Sequence, residues 1–508
     1  MIIETESQTR PEAAAWPRTA LTAAMWERAG LALVLLVAGV LDFWQLNRVG
    51  YGNTYYAAAV KSMLQSWHNF FFNAFDPGGF VTIDKPPLGF WLQVASAKVF
   101  GFSGLSLMLP QALAGVLSVA VLYRLVSRSF GAVAGLLAAL ALAVMPVSVA
   151  ASRNNIIDGT LVLVTLLGAW AVLRAAETGR LRWLLLCAVL VGLGFNVKML
   201  EAYLVVPAFG LLYLVAAPRR WTTRTWHLGV ATLVLLVVSF SWALAVDLTP
   251  ASARPYVGSS GTNSEVNLAL GYNGLERLTG RLRLFAGDRR PTPPSASAAP
   301  DTHAAAGTNR TGSAGGTGNA AQQAAARGFT RGETGNPGPL RLFNSALGGQ
   351  VSWLLPLALF GLIAAAWRTR MRFPLDRRQQ SLILWGAWLL VQAAFFSIAG
   401  FFHTYYLVMM APSIAALAGI GLVALWRDYR SSGWRGWALP LTLLVTAGAQ
   451  AYLLASYPGW SSWLTPLAVG FCVVAAITLA ARRLGGRVSG RVALGAATLG
   501  TVGLLAAP

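Results

Sequence analysis

Long apolar runs recur along almost the whole chain of 508 residues, and short polar or basic stretches separate them. A helix needs about 20 mostly apolar residues to cross a bilayer, whose core offers no water to free backbone groups. The mean hydropathy of +0.57 agrees with a polytopic, all-α membrane protein. The runs predict about thirteen transmembrane helices, at 29–47, 105–127, 131–150, 156–175, 182–197, 200–217, 226–247, 347–367, 380–400, 404–426, 436–456, 463–481 and 490–507. The short pair 182–197 and 200–217 could instead form a re-entrant hairpin.

Basic residues are distributed unevenly between the loops. With the N-terminus in the cytoplasm, 20 of the 39 Lys and Arg residues fall in short cytoplasmic loops, where positive charge is favoured. This predicts a multi-pass plasma-membrane protein with a cytoplasmic tail (residues 1–28) and an uncleaved first anchor. Six basic residues break the trend in the short outer segments: Arg48, Lys61, Lys85, Lys98, Arg153 and Lys198.

The remaining composition excludes two classes of function. The net charge of +21 is spread between the apolar runs and forms no single stripe, so we expect no nucleic-acid partner. Cys187 and Cys472 lie inside apolar runs and are typical of buried hydrophobic residues, not of disulfides or metal ligands.

Two long segments are predicted on the outer face. The first, 48–104, belongs to an N-terminal membrane module (29–247) and carries apolar residues at helical spacing from Tyr56 to Phe71, which predicts an interfacial helix. The second, 248–346, precedes the C-terminal helices (347–508). Its middle, about 287–337, is rich in Gly, Ala, Ser, Thr and Pro and is predicted to be disordered, whereas its flanks are predicted to be ordered.

Ionisable residues collect near the predicted outer face, and such residues at membrane depth are candidates for function. Each has a structural alternative. Asp42 could cap the first span or pair with Arg48, Arg153 could pair with Asp158, and Lys198 with Glu201 at i, i+3. His403 could be an interfacial histidine with a hydrogen bond. The full set is Asp42, Asp76, Asp84, Lys85, Arg153, Asn154, Asn155, Asp158, Lys198, Glu201, Asp247, His403, Tyr405 and Tyr406.

The stretch "VTIDKPPLGFW", residues 81–91, has the weakest purely structural explanation. Its prolines favour an extended segment followed by a helix that starts at Pro86 or Pro87. Asp84 and Lys85 then lie at a helix N-terminus, where anions bind. A cation for a phosphate beside a carboxylate base suggests group transfer from a lipid-linked phosphate. A transporter or a flippase for lipid-linked sugars, without transferase activity, is the alternative, although transporters usually bind their substrates near the midplane.

Several segments carry a family resemblance over roughly residues 25–430: "NTYYAAAVKSM" (53–63), "FDPGGFVTIDKPPLGFW" (75–91), "LPQALAGVLSVAVLYRL" (109–125), "SRNNIIDGTL" (152–161) and "HTYYLVMMAPSIAAL" (403–417). The chain resembles the family 39 membrane glycosyltransferases, which share the GT-C fold with protein O-mannosyltransferases and the aminoarabinose transferase of lipid A. Within that family it is most similar to a bacterial, mannosyltransferase-like branch.

The resemblance implies an extracytoplasmic active site that takes a sugar from a polyprenyl phosphate, not from a nucleotide, and inverts the anomeric centre. It implies that Lys85 stabilises the leaving phosphate with help from Arg153 and Lys198. Asp158 matches a polar family position, and Tyr56, His403 and Tyr406 are further candidates for substrate binding. Some relatives bind a divalent metal ion, for which the candidate ligands here would be Asp84 and His403.

One departure affects the catalytic base. Many members carry an acidic residue just before the first-loop tyrosine, where this chain reads Gly52-Asn53-Thr54-Tyr55-Tyr56. Either Asp76 or Asp84 acts as the base, or the enzyme is impaired or works with a partner. The sugar, the acceptor and the oligomeric state are not specified by these residues.

Overall fold

The computed structural model describes residues 18–279, 333–369, 373–431 and 433–506. Within these ranges the regular structure is helical, apart from two isolated β-bridges, as predicted. The predicted disordered insert lies outside the described residues except for 333–337. The helices are α1 (Arg18–Phe43), α2 (Thr54–Met63), α3 (Trp67–Phe71), α4 (Leu88–Phe100), α5 (Gly104–Phe130), α6 (Ala132–Val144), α7 (Pro146–Ser152), α8 (Asp158–Thr178), α9 (Leu181–Lys198), α10 (Val206–Ala216), α11 (Trp221–Leu248), α12 (Glu265–Leu270), α13 (Glu276–Thr279), α14 (Gly348–Val351), α15 (Leu355–Trp367), α16 (Arg377–Ile398), α17 (Ala411–Arg430), α18 (Ala438–Leu454), α19 (Pro458–Arg483) and α20 (Gly490–Ala506).

Ten helical segments of the described chain are long and apolar enough to cross a membrane, and α6 with α7 makes an eleventh if that bent pair is one span. The two helices meet at 62° because Pro146 disfavours helical backbone at Met145, which is extended with ψ 124°. The last predicted span is the 17-residue helix α20, which is shorter than the other candidates. Length and composition therefore support ten or eleven spans among the described residues. They do not confirm the exact number of thirteen.

The uncertain pair of spans forms a helical hairpin. A single helical run covers Leu181–Ala216, but a 3₁₀ segment, Met199–Val205, interrupts it after Lys198. Arg219 Nε donates a hydrogen bond of 3.0 Å to Gly179 O, so the end of α10 returns to the start of α9.

The centre of the bundle is α17, whose span is 94% buried. Small residues allow its neighbours to approach closely, which is the usual way in which membrane helices associate. A Cβ on Gly361 of α15 would lie 2.6 Å from Gly421 Cα, and one on Gly419 would lie 2.6 Å from Ala134 O of α6. We call the face of the bundle that carries residues 44–103, 249–279 and 333–347 the loop face.

In the first long segment on the loop face, two helices, α2 and α3, replace the single interfacial helix that was predicted from Tyr56 to Phe71. Asn53 and Ser66 cap α2 and α3, respectively, by accepting backbone N–H bonds. Tyr56, Val60 and Met63 are buried as the periodicity predicts, but Trp67 begins α3 and is exposed. The predicted helix is thus interrupted, because α2 ends at Met63 and Ser66 caps a second helix.

Candidate active site

Hydrogen bonds to two neighbouring backbone segments, one around Phe75 and one at Tyr256, hold the segment 81–87 in place. Phe75 N donates to Val81 O (2.8 Å), and Thr82 N donates to Tyr256 O (2.9 Å). Asn73 Nδ2 donates to Lys85 O (2.7 Å), and α4 begins directly after Pro87. The sequence therefore placed the helix start within two residues, and these bonds fix the backbone of Asp84 and Lys85.

Lys85 is a buried cation with polar partners on two sides. Its Nζ forms a short ion pair with Asp84 and lies 3.3 Å from Asn273 Oδ1. Burial lowers the pKa of Lys85 to about 8, against the opposing effect of the Asp84 carboxylate. Burial raises the pKa of Asp84, but the Lys85 ammonium outweighs it and holds that pKa below its usual value. Asp84 is therefore ionised at neutral pH and Lys85 is mostly protonated.

A second charge cluster joins the start of α8 to the end of α9. Lys198 Nζ lies 2.5 Å from Asp158 Oδ1 and 3.0 Å from Glu201 Oε2. All three side chains are buried, and Asp158 Oδ2 has no hydrogen-bond partner among the described atoms. The predicted Lys198–Glu201 pair is confirmed, whereas Asp158 pairs with Lys198 and not with Arg153.

Arg277, at the end of the ordered flank after α12, connects the two clusters. Its guanidinium lies over the rings of Tyr272 (4.9 Å) and Tyr406 (5.3 Å). Lys85 Nζ lies 5.7 Å from the same Tyr272 ring, and Lys198 Nζ lies 3.4 Å from the same Tyr406 ring. Three cations thus converge on two tyrosines, with the geometry of cation–π contacts.

A cavity of about 220 Å³ opens beside these cations. Lys198, Glu201 and Arg277 form its polar part, and most of the remaining wall is apolar. Arg277 is 4% exposed, and its Nη1 has no hydrogen-bond partner among the described atoms. An unpaired buried N–H is costly, so the cavity is suited to an anionic group that carries an apolar tail. The apolar wall consists mainly of Leu200, Leu204, Leu275, Leu278, Phe395 and Phe402.

Three other predicted site residues have clear local partners. Asp76 accepts hydrogen bonds from Phe80 N and Val81 N, both at 3.0 Å, and closes a turn. Arg153 Nη1 donates to Leu41 O (2.8 Å) and faces Asp42, which hydrogen-bonds Ser152. The expected pairing of Asp42 with Arg48 is therefore wrong, because α1 packs against α7 at this point. Arg153 supports that contact between helices.

Two aromatic predictions converge on the cations. Tyr56 is buried against Phe90, with ring centroids 5.0 Å apart. It lies close enough to Asp84 and Asp158 to interact electrostatically with both carboxylates. Tyr406 covers Lys198, as described above. Tyr56 and Tyr406 thus lie near the charged residues of both clusters, and their role in substrate binding stays a prediction.

His403 lies beside this group and hydrogen-bonds Glu333 Oε1 at 3.1 Å, which agrees with its structural alternative. The described residues contain no group of three or more His, Cys, Asp or Glu side chains suited to a metal ion. Asp84 is already paired with Lys85, and with His403 it would supply two ligands, fewer than a zinc site uses. Among the residues that the structure describes, Asp84 and His403 therefore do not complete a zinc site, and a divalent metal ion stays a prediction.

Arg277, Asn273 and Tyr272 were not identified from the sequence. They lie in "GYNGLERL", within a flank predicted to be ordered. The comparison of basic residues covers short loops only, so it did not draw attention to an arginine in this long loop. The available signal was an arginine close to a tyrosine and an asparagine in the flank that was predicted to be ordered.

Comparisons with known proteins agree with this geometry. The sequence model of the family described as "Dolichyl-phosphate-mannose-protein mannosyltransferase" matches residues 84–242. The chain is 43% identical over 469 residues to "Putative mannosyltransferase YycA" of Bacillus subtilis (strain 168), covering 84% of this chain and 68% of that protein. It is 41% identical over 489 residues to "Putative mannosyltransferase YkcB" of the same organism, covering 85% and 68%.

Solved structures show the same fold at low sequence identity. ArnT from Cupriavidus metallidurans bound to undecaprenyl phosphate is similar with a TM-score of 0.51 and 22% identity, covering 95% of this chain and 77% of that one. An oligosaccharyltransferase from Archaeoglobus fulgidus has a TM-score of 0.50 and 14% identity, covering 95% and 56%. On the strength of the Bacillus relatives and this shared architecture, the chain belongs to the family 39 membrane glycosyltransferases with a GT-C fold.

Proposed function

We propose that the chain transfers a hexose-type sugar from a polyprenyl phosphate to a hydroxyl group of an extracytoplasmic protein, lipid or glycan. The observation that supports this most directly is the mainly apolar cavity whose lining includes Lys198 and Arg277. A polyprenyl phosphate combines an anionic head with a long apolar tail, and a membrane-embedded protein can admit it from the bilayer. ArnT, which shares the fold, is described in complex with undecaprenyl phosphate.

In this proposal Lys85, Lys198 and Arg277 stabilise the phosphate. As the bond between the anomeric carbon and the phosphate oxygen breaks, negative charge increases on that oxygen, and cations already in place lower the barrier. Arg277 offers the buried Nη1 that has no protein partner among the described atoms. Guanidinium groups bind phosphate well because their N–H groups can contact two oxygens at once.

Asp84 is the proposed general base. The acceptor oxygen attacks the anomeric carbon, Asp84 accepts its proton, and the polyprenyl phosphate leaves from the opposite side, so the centre is inverted. Asp76 is engaged by two backbone N–H groups, and Asp158 by Lys198. Asp84 is also ion-paired, with Lys85, but its ionised carboxylate lies beside the cations of the proposed phosphate site, which favours it over the other two.

The transfer reaction can be tested with the purified full chain and a polyprenyl-phosphate hexose. Arg277→Gln is expected to weaken donor binding by about 30-fold or more, as loss of a charge-assisted contact costs about 2 kcal/mol. Arg254→Gln is the matched control, because Arg254 lies in the same loop but bonds Asn263 and Thr249. Equal donor affinity in the two variants would contradict the site. Movement of the intact donor from one leaflet of a vesicle membrane to the other, without hydrolysis or sugar transfer, would favour the flippase alternative.

The orientation can be tested separately in intact cells. A cysteine introduced at Ser313 is expected to react with an impermeant thiol reagent, and one at Arg370 is expected to be protected. Cys187 and Cys472 are buried, so their background labelling should be small. The reverse pattern would place the site in the cytoplasm and exclude the proposed reaction there.

A further inference from the structure

A basic pocket of about 490 Å³ lies on the face opposite to the loop face, where α8 and α10 end and α9 and α11 begin. Its polar walls are Arg180, Arg182, Arg219, Thr223 and His227. None of these side chains is acidic, and each can donate a hydrogen bond. The pocket is far along the helices from the candidate active site and has a separate set of residues.

The pocket's charge is not balanced by neighbouring acids among the described residues. Glu177, near the end of α8, instead pairs with Arg128 (2.6 Å), Arg174 (3.4 Å) and Arg377 (3.4 Å). The described ion pairs include none with Arg180, Arg182 or Arg219. The described part of the chain therefore leaves a concave, positively charged surface.

Local structure gives the pocket a fixed shape. Gly179 ends α8 with φ +63°, and its carbonyl accepts the bond from Arg219 Nε. A Cβ at Gly179 would lie 3.0 Å from Arg219, so the absence of a side chain lets the guanidinium cross the turn. On the other wall, Tyr213 Oη lies 2.5 Å from His227 Nδ1 and orients that ring.

The surrounding aromatic residues indicate the depth of the pocket. Trp221 and Trp226, at the start of α11, are 60% and 69% exposed. Exposed tryptophans at the end of a membrane-spanning helix are typical of the interface between lipid headgroups and acyl chains. The guanidinium of Arg182 lies 5.5 Å from the ring centre of Trp183. A lipid headgroup at this interface can therefore reach the pocket.

We propose that this pocket binds the phosphate of an anionic phospholipid headgroup. Basic pockets between membrane helices recognise such headgroups through several arginines. The ligand's acyl chains would lie along the exposed side of α11. This inference does not depend on the proposed transferase reaction, since it uses neither the same residues nor the same face.

A second pocket supplies an internal control. It has the same volume of about 490 Å³ and includes Arg368 and Arg435 with two tryptophans. Here, however, Asp428 Oδ1 accepts a 2.6 Å bond from Arg368 Nε. The carboxylate already occupies the position that a lipid phosphate would take, so we expect weaker binding of anionic lipid there.

The test uses the full chain in neutral detergent, with binding followed by native mass spectrometry. Phosphatidylglycerol, phosphatidylcholine and inorganic phosphate are titrated in parallel. Arg180→Gln/Arg182→Gln should bind phosphatidylglycerol about tenfold or more weakly, since each arginine contributes about 1 kcal/mol. Arg430→Gln/Arg487→Gln, which removes the same charge from exposed positions outside both pockets, should change that affinity less than about twofold.

The outcomes separate the explanations. Selective binding of phosphatidylglycerol that is lost in the first double variant supports the pocket. An equal loss in both double variants would show general attraction of anionic lipid to a basic surface, and would overturn the proposal. Binding of inorganic phosphate as tight as that of the lipid would also overturn it, because the site would then serve a soluble anion.

Discussion

Replacing Lys198 by methionine removes the one cation that the structure places between Asp158 and Glu201. The side chains of Lys198, Asp158 and Glu201 are 3%, 1% and 7% exposed, so water cannot solvate the two acids in its place. Removing one member of a buried ion pair typically costs about 3–5 kcal/mol. We therefore expect Lys198→Met to lower the free energy of unfolding by about that amount, a factor of at least about 100 in the folding equilibrium.

A compensating variant separates the structural role of Lys198 from its proposed role in donor binding. Lys198→Met/Asp158→Asn/Glu201→Gln contains no charged group in this cluster, and replacing a complete buried charge cluster is often nearly neutral. We expect the triple variant to recover most of the lost stability. It should not recover donor affinity, because the ammonium at the polar part of the cavity is still missing.

The stability assay is equilibrium unfolding in mixed micelles with increasing denaturing detergent, and donor binding is measured on the same preparations. Lys61→Met is the control, because Lys61 is exposed and has no ion pair among the described residues. That control should shift stability by less than about 0.5 kcal/mol. If Lys198→Met is as stable as Lys61→Met, the three buried charges do not depend on one another. Recovery of donor affinity in the triple variant would assign Lys198 a purely structural role.

Three further predictions concern named residues. Asp84→Asn should reduce turnover about 10²–10⁴-fold with donor binding retained. Asp76→Asn should mainly destabilise the turn that Asp76 closes, by about 1–3 kcal/mol. Similar turnover in both variants would exclude Asp84 as the base. Donor affinity should fall as the pH rises through about 8, since Lys85 loses its proton there. Lys85→Arg should flatten this pH profile, because arginine stays charged. A pH profile of Lys85→Arg that matches the wild type would exclude Lys85 as the titrating group. Gly179→Ala should cost about 1–3 kcal/mol, because alanine meets Arg219 at a left-handed backbone position; thermal unfolding at the wild-type temperature would contradict this.

Local features of the sequence were sufficient for the membrane class and for much of the site's first loop. The apolar runs predicted the spans because the bilayer imposes a length and a composition on every crossing helix. Two prolines predicted the start of α4, because their constraints act on the adjacent backbone alone. The i, i+3 spacing predicted the pair of Lys198 and Glu201 for the same local reason.

Contacts between distant segments could not be obtained in this way. Arg153 and Asp158 are close in sequence, but Arg153 faces Asp42 while Asp158 binds Lys198, 40 positions away. A charge near the end of a span has several possible partners, and the packing of α1 on α7 and of α8 on α9 selects one of them. The charges of these residues and their spacing in the sequence do not determine which partner each one pairs with.

The sequence by itself thus determined that the chain is helical, spans a membrane and presents Asp84 and Lys85 at the start of a helix. Tertiary structure decided that Arg277 completes the group of cations. The backbone of the second long loop returns to the bundle, where Phe401 N donates to Arg277 O at 3.0 Å. That bond joins segments more than a hundred residues apart. Such pairing depends on how the whole bundle closes, and no local pattern of residue types specifies it.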